Sequence, residues 1–225
     1  MIKWKSKRQE IFCTEFLPSI IMAAICVICY FILNLFPEKF PGRIHFFSTA
    51  AMFFIPCLFY LVFRLRFPPI LKIIGFVFIT CGMLLATGMS LYDYIPNWDT
   101  ILHVASGLMC FLFAYYFLIA SGIIYNIKEG TAIVLSLIIN TASSSLWEIC
   151  EYGVDVLANS NAQHSLEEGV VDTMQDILAN TIGGTAVAII FIIDILVNHK
   201  KLVDYFTRHL SVYTRYDYRK PGCSR

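Results

Sequence analysis

Hydrophobic and polar positions alternate along this chain in blocks far longer than a strand or a surface helix. Apolar runs of roughly 20 residues, enough for a helix to cross a hydrocarbon layer, fall at 16–36, 44–63, 70–92, 99–120, 131–157 and 172–197. The breaks carry turn residues: Pro37, Pro41 and Gly42, then Arg64, Arg66, Pro68 and Pro69, then Pro96 and Asn97. Asp99 is placed to cap the fourth run. Gly122, Lys128, Glu129 and Gly130 follow that run, and a polar stretch at 159–168 precedes the sixth. The pattern predicts an all-α fold, a polytopic membrane bundle of six transmembrane helices. It contains no internal repeat.

Composition agrees with this reading. The 225 residues are 58% hydrophobic and 15% charged, whereas a soluble domain is about half apolar and a quarter charged. We therefore expect one integral membrane domain over 1–225. Within it, 16–92 form an apolar scaffold, 93–197 carry the polar chemistry and 198–225 form a basic, aromatic tail. The net charge of +1 offers no basis for nucleic-acid binding. The eight cysteines lie mostly inside apolar blocks and read as small buried hydrophobes. Lys3, Lys5, Lys7 and Arg8 resemble the start of a signal peptide, but the following run is long enough to span and no small-x-small cleavage site precedes Pro37. An uncleaved first span is expected.

Basic residues set the expected orientation. With both termini cytoplasmic, the inner segments hold 15 of the 17 Lys and Arg, and only Lys39 and Arg43 face out. The tail mixes its basic residues with Tyr205, Phe206, Tyr213, Tyr216 and Tyr218. It reads as a positive-inside anchor, with anionic lipid as the alternative contact.

The polar residues are unevenly shared. The first three helices show no acid or base well inside a span, His45 lies at an outer edge, and Gly75, Gly82 and Gly88 with Thr80, Thr87 and Ser90 suggest close packing. The other three differ. Asp99, His103, Ser106 or Gly107, and Cys110 share one face of the fourth helix. Asn140, Ser144, Glu148, Glu151 and Asp155 trace a stripe on the fifth. Asp172, Asp176 and Asn180 stack on the sixth, followed by Gly183, Gly184 and Ala188, small enough for a close neighbour. By the helical rise, His103 lies roughly 6 Å below Asp99, Glu151 and Glu148 roughly 6 and 10 Å below Asp155, and Asp176 and Asn180 roughly 6 and 12 Å below Asp172. The three ladders reach matching levels in the outer half of the bilayer.

Six carboxylates and one imidazole gather here, yet Lys128 is the only Lys or Arg from Asp99 to Val197. A charged acid at a helix centre costs about 2.5–3.5 kcal/mol, so protonation, water or a bound cation must relieve the group. Carboxylates with an amide oxygen suit Mg²⁺ or Mn²⁺, and His as a ligand extends the choice to Zn²⁺ or Fe²⁺. We assign Glu148, Glu151, Asp172 and Asp176 as metal ligands, His103 and Asp99 as the catalytic pair, and Asp155 and Asn180 as supporting residues. The competing readings are plain. Asp99, Asp155 and Asp172 can be solvated helix ends, His103 a structural hydrogen-bonder, and Asn140 and Ser144 helix–helix contacts. Trp147 and Tyr152 can be packing or interface aromatics, Asp194 a solvated inner-end residue, and His164, Glu167 and Glu168 part of a polar loop.

Asp99-x-x-x-His103-x-x-x-Gly107, Trp147-Glu148-x-x-Glu151 and Asp172-x-x-x-Asp176 resemble the YjdF-like bacterial inner-membrane proteins, where Tyr-Glu is common in place of Trp147-Glu148. A looser likeness reaches the VanZ-like membrane proteins, which pair an Asp/His helix with a later Glu and an Asp-x-x-x-Asn helix. The resemblance covers about residues 92–190. It implies location in the bacterial cytoplasmic membrane and supports the choice of site residues, without implying a substrate.

Three functions compete. A divalent-metal-dependent hydrolase or transferase acting on a lipid or lipid-linked envelope substrate would use the acids and His103 together. A proton or metal-ion transporter would use the acids as a relay, although the stripe fades below Asn180 and no repeat supports alternating access. A non-catalytic membrane partner or resistance factor would use the cluster to staple three helices.

Overall fold

The computed structural model describes residues 6–36, 38, 45–89, 91–158 and 169–214. Lys39, Arg43, His164, Glu167, Glu168, Tyr216 and Tyr218 lie outside the described residues. Every regular element described is helical. Among the described residues, six helices are long and apolar enough to cross a membrane: Arg8–Leu33, His45–Phe63, Pro69–Gly88, Trp98–Ala120, Glu129–Leu157 and Val170–Val197. The chain forms two compact units, Met1–Trp98 and Asp99–Arg225.

In the first unit, α1 (Lys7–Ile11), a π-helical turn (Phe12–Phe16) and α2 (Leu17–Leu33) run on as one span. Ser6 starts it, its hydroxyl accepting from Gln9 N at 3.2 Å. The second span is broken into α3 (His45–Met52) and α4 (Ile55–Phe63). Pro56 stands in the first turn of α4, where its missing N–H is least harmful. Arg64 ends α4 at φ 56°. The third span begins as α5 (Pro69–Ile79) and continues as a π-helix (Thr80–Gly88). Cys26, Phe46, Ala50 and Phe53 form the core, with Phe76 against Phe53 edge to face at 5.1 Å. Gly88 leaves room for the Phe46 ring, which a Cβ there would strike.

The early start of the first span overturns one expectation. It draws Glu10 and Glu15 into the helix, and these first three spans do contain buried charge. Glu15 is 2% exposed and pairs with Lys72 Nζ at 2.5 Å. Its other oxygen accepts from Arg66 Nε at 3.2 Å and from Thr14 Oγ1 at 3.1 Å. Arg66 also reaches Glu10 at 3.1 Å, and Lys72 donates to the Thr14 carbonyl at 2.7 Å. Burial works against the charge on Arg66, but its hydrogen bonds to Glu10 and Glu15 outweigh it and raise the guanidinium above its usual value. Two cations and two carboxylates thus neutralise one another.

The second unit comprises α6 (Trp98–Ala120), α7 (Glu129–Ala158), α8 (Val170–Val197) and α9 (Lys201–Ser211). On α7 the inward positions are Ala132, Ser136, Asn140, Ser144 and Glu148, while Val134, Ile138, Leu146, Ile149 and Val156 are exposed. This inverts the usual soluble pattern and suits hydrocarbon outside the bundle. The small residues predicted on α8 meet neighbours. A Cβ on Gly107 would collide with the Asn180 carbonyl, one on Gly183 with the Val104 carbonyl, and one on Gly184 with the Asn140 amide. The backbones of α6 and α8 therefore touch directly, and the Thr141 and Thr181 hydroxyls fix the α7–α8 register at 3.1 Å. Gly107→Ala should lower stability by about 1–3 kcal/mol, the ordinary cost of overpacking. Gly153→Ala should raise it by about 0.5–1 kcal/mol, since Gly153 faces open space. Thermal unfolding of both variants in detergent checks this pair; equal shifts would refute the crossing.

Part of the basic tail is the helix α9, and it packs back on the unit. Asp194, read from the sequence as solvated, is buried. Its carboxylate accepts from Val203 N and Asn198 Nδ2, each at 2.9 Å. It caps α9 from the preceding helix, a role that spacing along α8 alone does not reveal. Tyr115 OH meets Thr207 Oγ1 at 3.1 Å, and Phe191 stacks edge to face with Tyr115 at 5.2 Å. Leu202, Tyr205, Arg208 and Val212 remain exposed.

Candidate metal centre

The acids collect where α6 begins, α7 ends and α8 begins. Asp99 and Asp172 stand in the first turns of α6 and α8, where the helix dipoles favour negative charge. One turn deeper, each helix contributes a buried group to the same spot. His103 Nε2 lies 3.7 Å from Asp99 Oδ1, 3.9 Å from Glu148 Oε1 and 3.7 Å from Asp176 Oδ2. His103, Glu148 and Asp176 are all buried, and Asp99 is partly exposed.

Those spacings carry chemical information. A direct N–H···O bond would draw one carboxylate to about 2.7–3.2 Å, and none has come that close. One donor atom each from Asp99, His103 and Asp176 lies within 4.8 Å of the others. Around a single ion with metal–ligand bonds of about 2.0–2.2 Å, donors stand roughly 3–4.4 Å apart. The donor set and its spacing are compatible with a metal ion.

The other expected residues are placed as follows. Glu148 faces the same imidazole nitrogen as the donor triad. Asp172 interacts electrostatically with both His103 and Asp176. Glu151 interacts with Glu148, Asp99 and Asp176, and accepts a hydrogen bond from Trp147. Asp155 lies a turn farther along α7, partly exposed. Asn180 supports the centre from below: its Nδ2 donates to Ser106 Oγ at 2.7 Å, and Ser106 donates to the His103 carbonyl at 2.7 Å. Among the assigned ligands Asp176 belongs to the tight triad, which it completes with the two residues assigned to proton chemistry. Sequence reasoning did not give Trp147 its donor role. The signal was available, because Trp147 and Glu151 are four apart and so share a helix face.

Six span-length helices among the described residues define a polytopic membrane protein. The chain belongs to the family described as "Predicted membrane protein (DUF2238)", whose model matches residues 17–195. It is similar to a protein of Thermotoga maritima described as "Uncharacterized protein", at 29% identity over 91 residues. That match covers 40% of this chain and 47% of the relative, so the chain spans about half of the relative's length. No solved structure matches.

Proposed function

We propose that this protein is a divalent-metal-dependent enzyme of the bacterial cytoplasmic membrane, a hydrolase or transferase acting on a lipid or lipid-linked envelope substrate. The observation that carries the reading is the equidistant approach of three carboxylates, from α6, α7 and α8, to His103 Nε2. Asp99, His103 and Asp176 are the ligand set that the geometry favours, with Mn²⁺, Mg²⁺ or Zn²⁺ as occupant. Such an ion supplies Lewis-acid polarisation of a phosphoryl or acyl oxygen and lowers the pKa of water. Glu148 and Glu151 remain at its margin to accept a proton, and the Trp147 hydrogen bond fixes the Glu151 carboxylate. Asn180 and Ser106 hold the His103 turn in register.

Charge distribution supports a site on the outer side. Within the second unit the acids occupy one end of α6–α8, while Lys200 pairs with Glu129 at 2.6 Å at the start of α7, the opposite end. By the positive-inside rule that basic end is cytoplasmic, with both chain termini on the same side. A lipid would then reach the centre laterally from the outer leaflet. The YjdF-like resemblance agrees with this location; the VanZ-like one rests on the residue pattern alone.

The test begins with metal. Protein purified in detergent, stripped and then reloaded with Mn²⁺, should hold about one ion per chain by elemental analysis and show a bound-Mn²⁺ spectrum. The loaded protein, incubated with phospholipids and polyprenyl diphosphates, should release a water-soluble product that chelation suppresses. Absence of stoichiometric metal would overturn the reading.

A further inference from the structure

The polar stripe does not end at the carboxylates. Within the next two helical turns, three oxygens lie buried with no hydrogen-bond partner among the described residues: Asn140 Oδ1, Ser144 Oγ and Asn180 Oδ1. Their residues are 0%, 4% and 2% exposed. Ser144 lies between Asn140 and Glu148 on the inward face of α7, and Asn180 follows Asp176 by one turn on α8. Each step is a rise of roughly 6 Å. The Asn140 amide reaches the Asn180 carbonyl, which joins the two helices at this level.

Hydrogen-bond polarity fixes what these oxygens are. Ser106 spends its proton on the His103 carbonyl, so it can only accept from Asn180. Asn180 must therefore turn its NH₂ toward Ser106, leaving Oδ1 as a pure acceptor. Asn140 donates its NH₂ to the Asn180 carbonyl at 3.5 Å, which leaves its Oδ1 likewise. Ser144 differs from other serines on α7. Ser136, Ser143 and Ser145 each return their hydroxyl to the carbonyl four residues earlier, at 2.8, 2.8 and 3.0 Å. Ser144 does not, and its oxygen is held for another partner.

Buried acceptors in an apolar setting require a donor or a cation. The surrounding charge is negative, and the oxygens are neutral amide and hydroxyl groups. Such a set suits a singly charged hard ion, which takes oxygen ligands without demanding several carboxylates. We propose that Asn140 Oδ1, Ser144 Oγ and Asn180 Oδ1 form an inner subsite for a monovalent hard cation of the sodium class, one to two turns beneath the carboxylate centre. The subsite does not rest on the divalent reading, since it uses none of the triad.

The test compares chloride salts of sodium and N-methylglucamine at equal ionic strength, on full-length protein in detergent with divalent ions chelated. Sodium should raise the thermal unfolding midpoint saturably, because a ligand bound only to the folded state stabilises it by mass action. Ser144→Ala, which suits a helix and removes one oxygen, should weaken the half-saturating concentration by about tenfold. Asn140→Ala should do so as well, and Ser144→Ala should leave Mn²⁺ loading unchanged. Identical midpoints in the two salts would mean that water alone satisfies the oxygens, and would overturn the proposal. A sodium effect unchanged in both variants would also overturn it by placing the ion elsewhere. Loss of Mn²⁺ loading in the wild-type protein with the sodium effect intact would sink the divalent reading and leave the subsite standing.

Discussion

Replacing Asp176 with Asn should abolish manganese loading, weakening it by more than the 10–100-fold typical of residues that only support a ligand. His103→Ala should do the same. Asp176 is buried between α6 and α7, shares the His103 nitrogen with Asp99 and Glu148, and belongs to the closest donor triad. Asn retains its shape and one oxygen but loses the charge that a divalent ion needs. A second effect has the opposite sign. Without metal, the like charges of Asp99, Glu148, Asp172 and Asp176 repel one another, so the metal-free Asp176→Asn protein should unfold at a higher temperature than the metal-free wild type. Sites shaped for function often carry this trade-off. Unfolding midpoints with Mn²⁺ and with chelator, for both proteins, measure the two effects together. If the cluster were only a staple between helices, the Asn variant would lose stability in both conditions and metal would change nothing.

Glu15→Gln should destabilise the first unit by about 3–5 kcal/mol, the range found when one partner of a buried ion pair is removed. Glu15 accepts from Lys72, Arg66 and Thr14. Its neutral replacement leaves Lys72, itself 8% exposed, without the carboxylate that balances it. Thr14→Ala removes hydroxyl contacts to the Glu15 carboxylate and the Arg66 guanidinium but no charge, and should cost less, about 1.5–3 kcal/mol. The double change Glu15→Gln with Lys72→Met should recover much of the loss, because no buried cation then remains. The recovery of monodisperse protein after heating, across these variants, decides the matter; a double variant worse than Glu15→Gln alone would refute the pairing.

Much of the fold was legible because a bilayer imposes length. Runs such as 99–120 and 172–197 match the helices Trp98–Ala120 and Val170–Val197 closely. The first span was the exception. Residues 8–15 fall before the run expected to span, which begins at 16, and the charged groups among them are balanced by Arg66 and Lys72, more than 50 positions away. Local spacing cannot show a partner at that distance. The candidate site divides the same way. Steps of four placed Asp172, Asp176 and Asn180 on one face, and Asp99 with His103 on another. Which donors meet depends on the rotation of three helices about their axes, set here by Gly107, Gly183 and the Thr141–Thr181 contact. The sequence put all of these residues in one site, with Glu148, Glu151, Asp172 and Asp176 as ligands and Asp99 and His103 as the catalytic pair; the packing brings donor atoms of Asp99, His103 and Asp176 within 4.8 Å of one another.

The glycine crossing has a mechanical side. Where Gly107 meets Asn180 and Gly183 meets Val104 there is no side-chain layer to compress or to slip. The contact acts as a fulcrum: the helices can rock about it but cannot part there. The carboxylate cluster lies on one arm of that lever, about 12 Å long from Gly107 to Asp99 by the helical rise. A tilt of about 10° would swing the arm's end by roughly 2 Å, comparable to a metal–ligand bond. The spacing of the acids is thus set more by the angle between the helices than by their separation at the crossing.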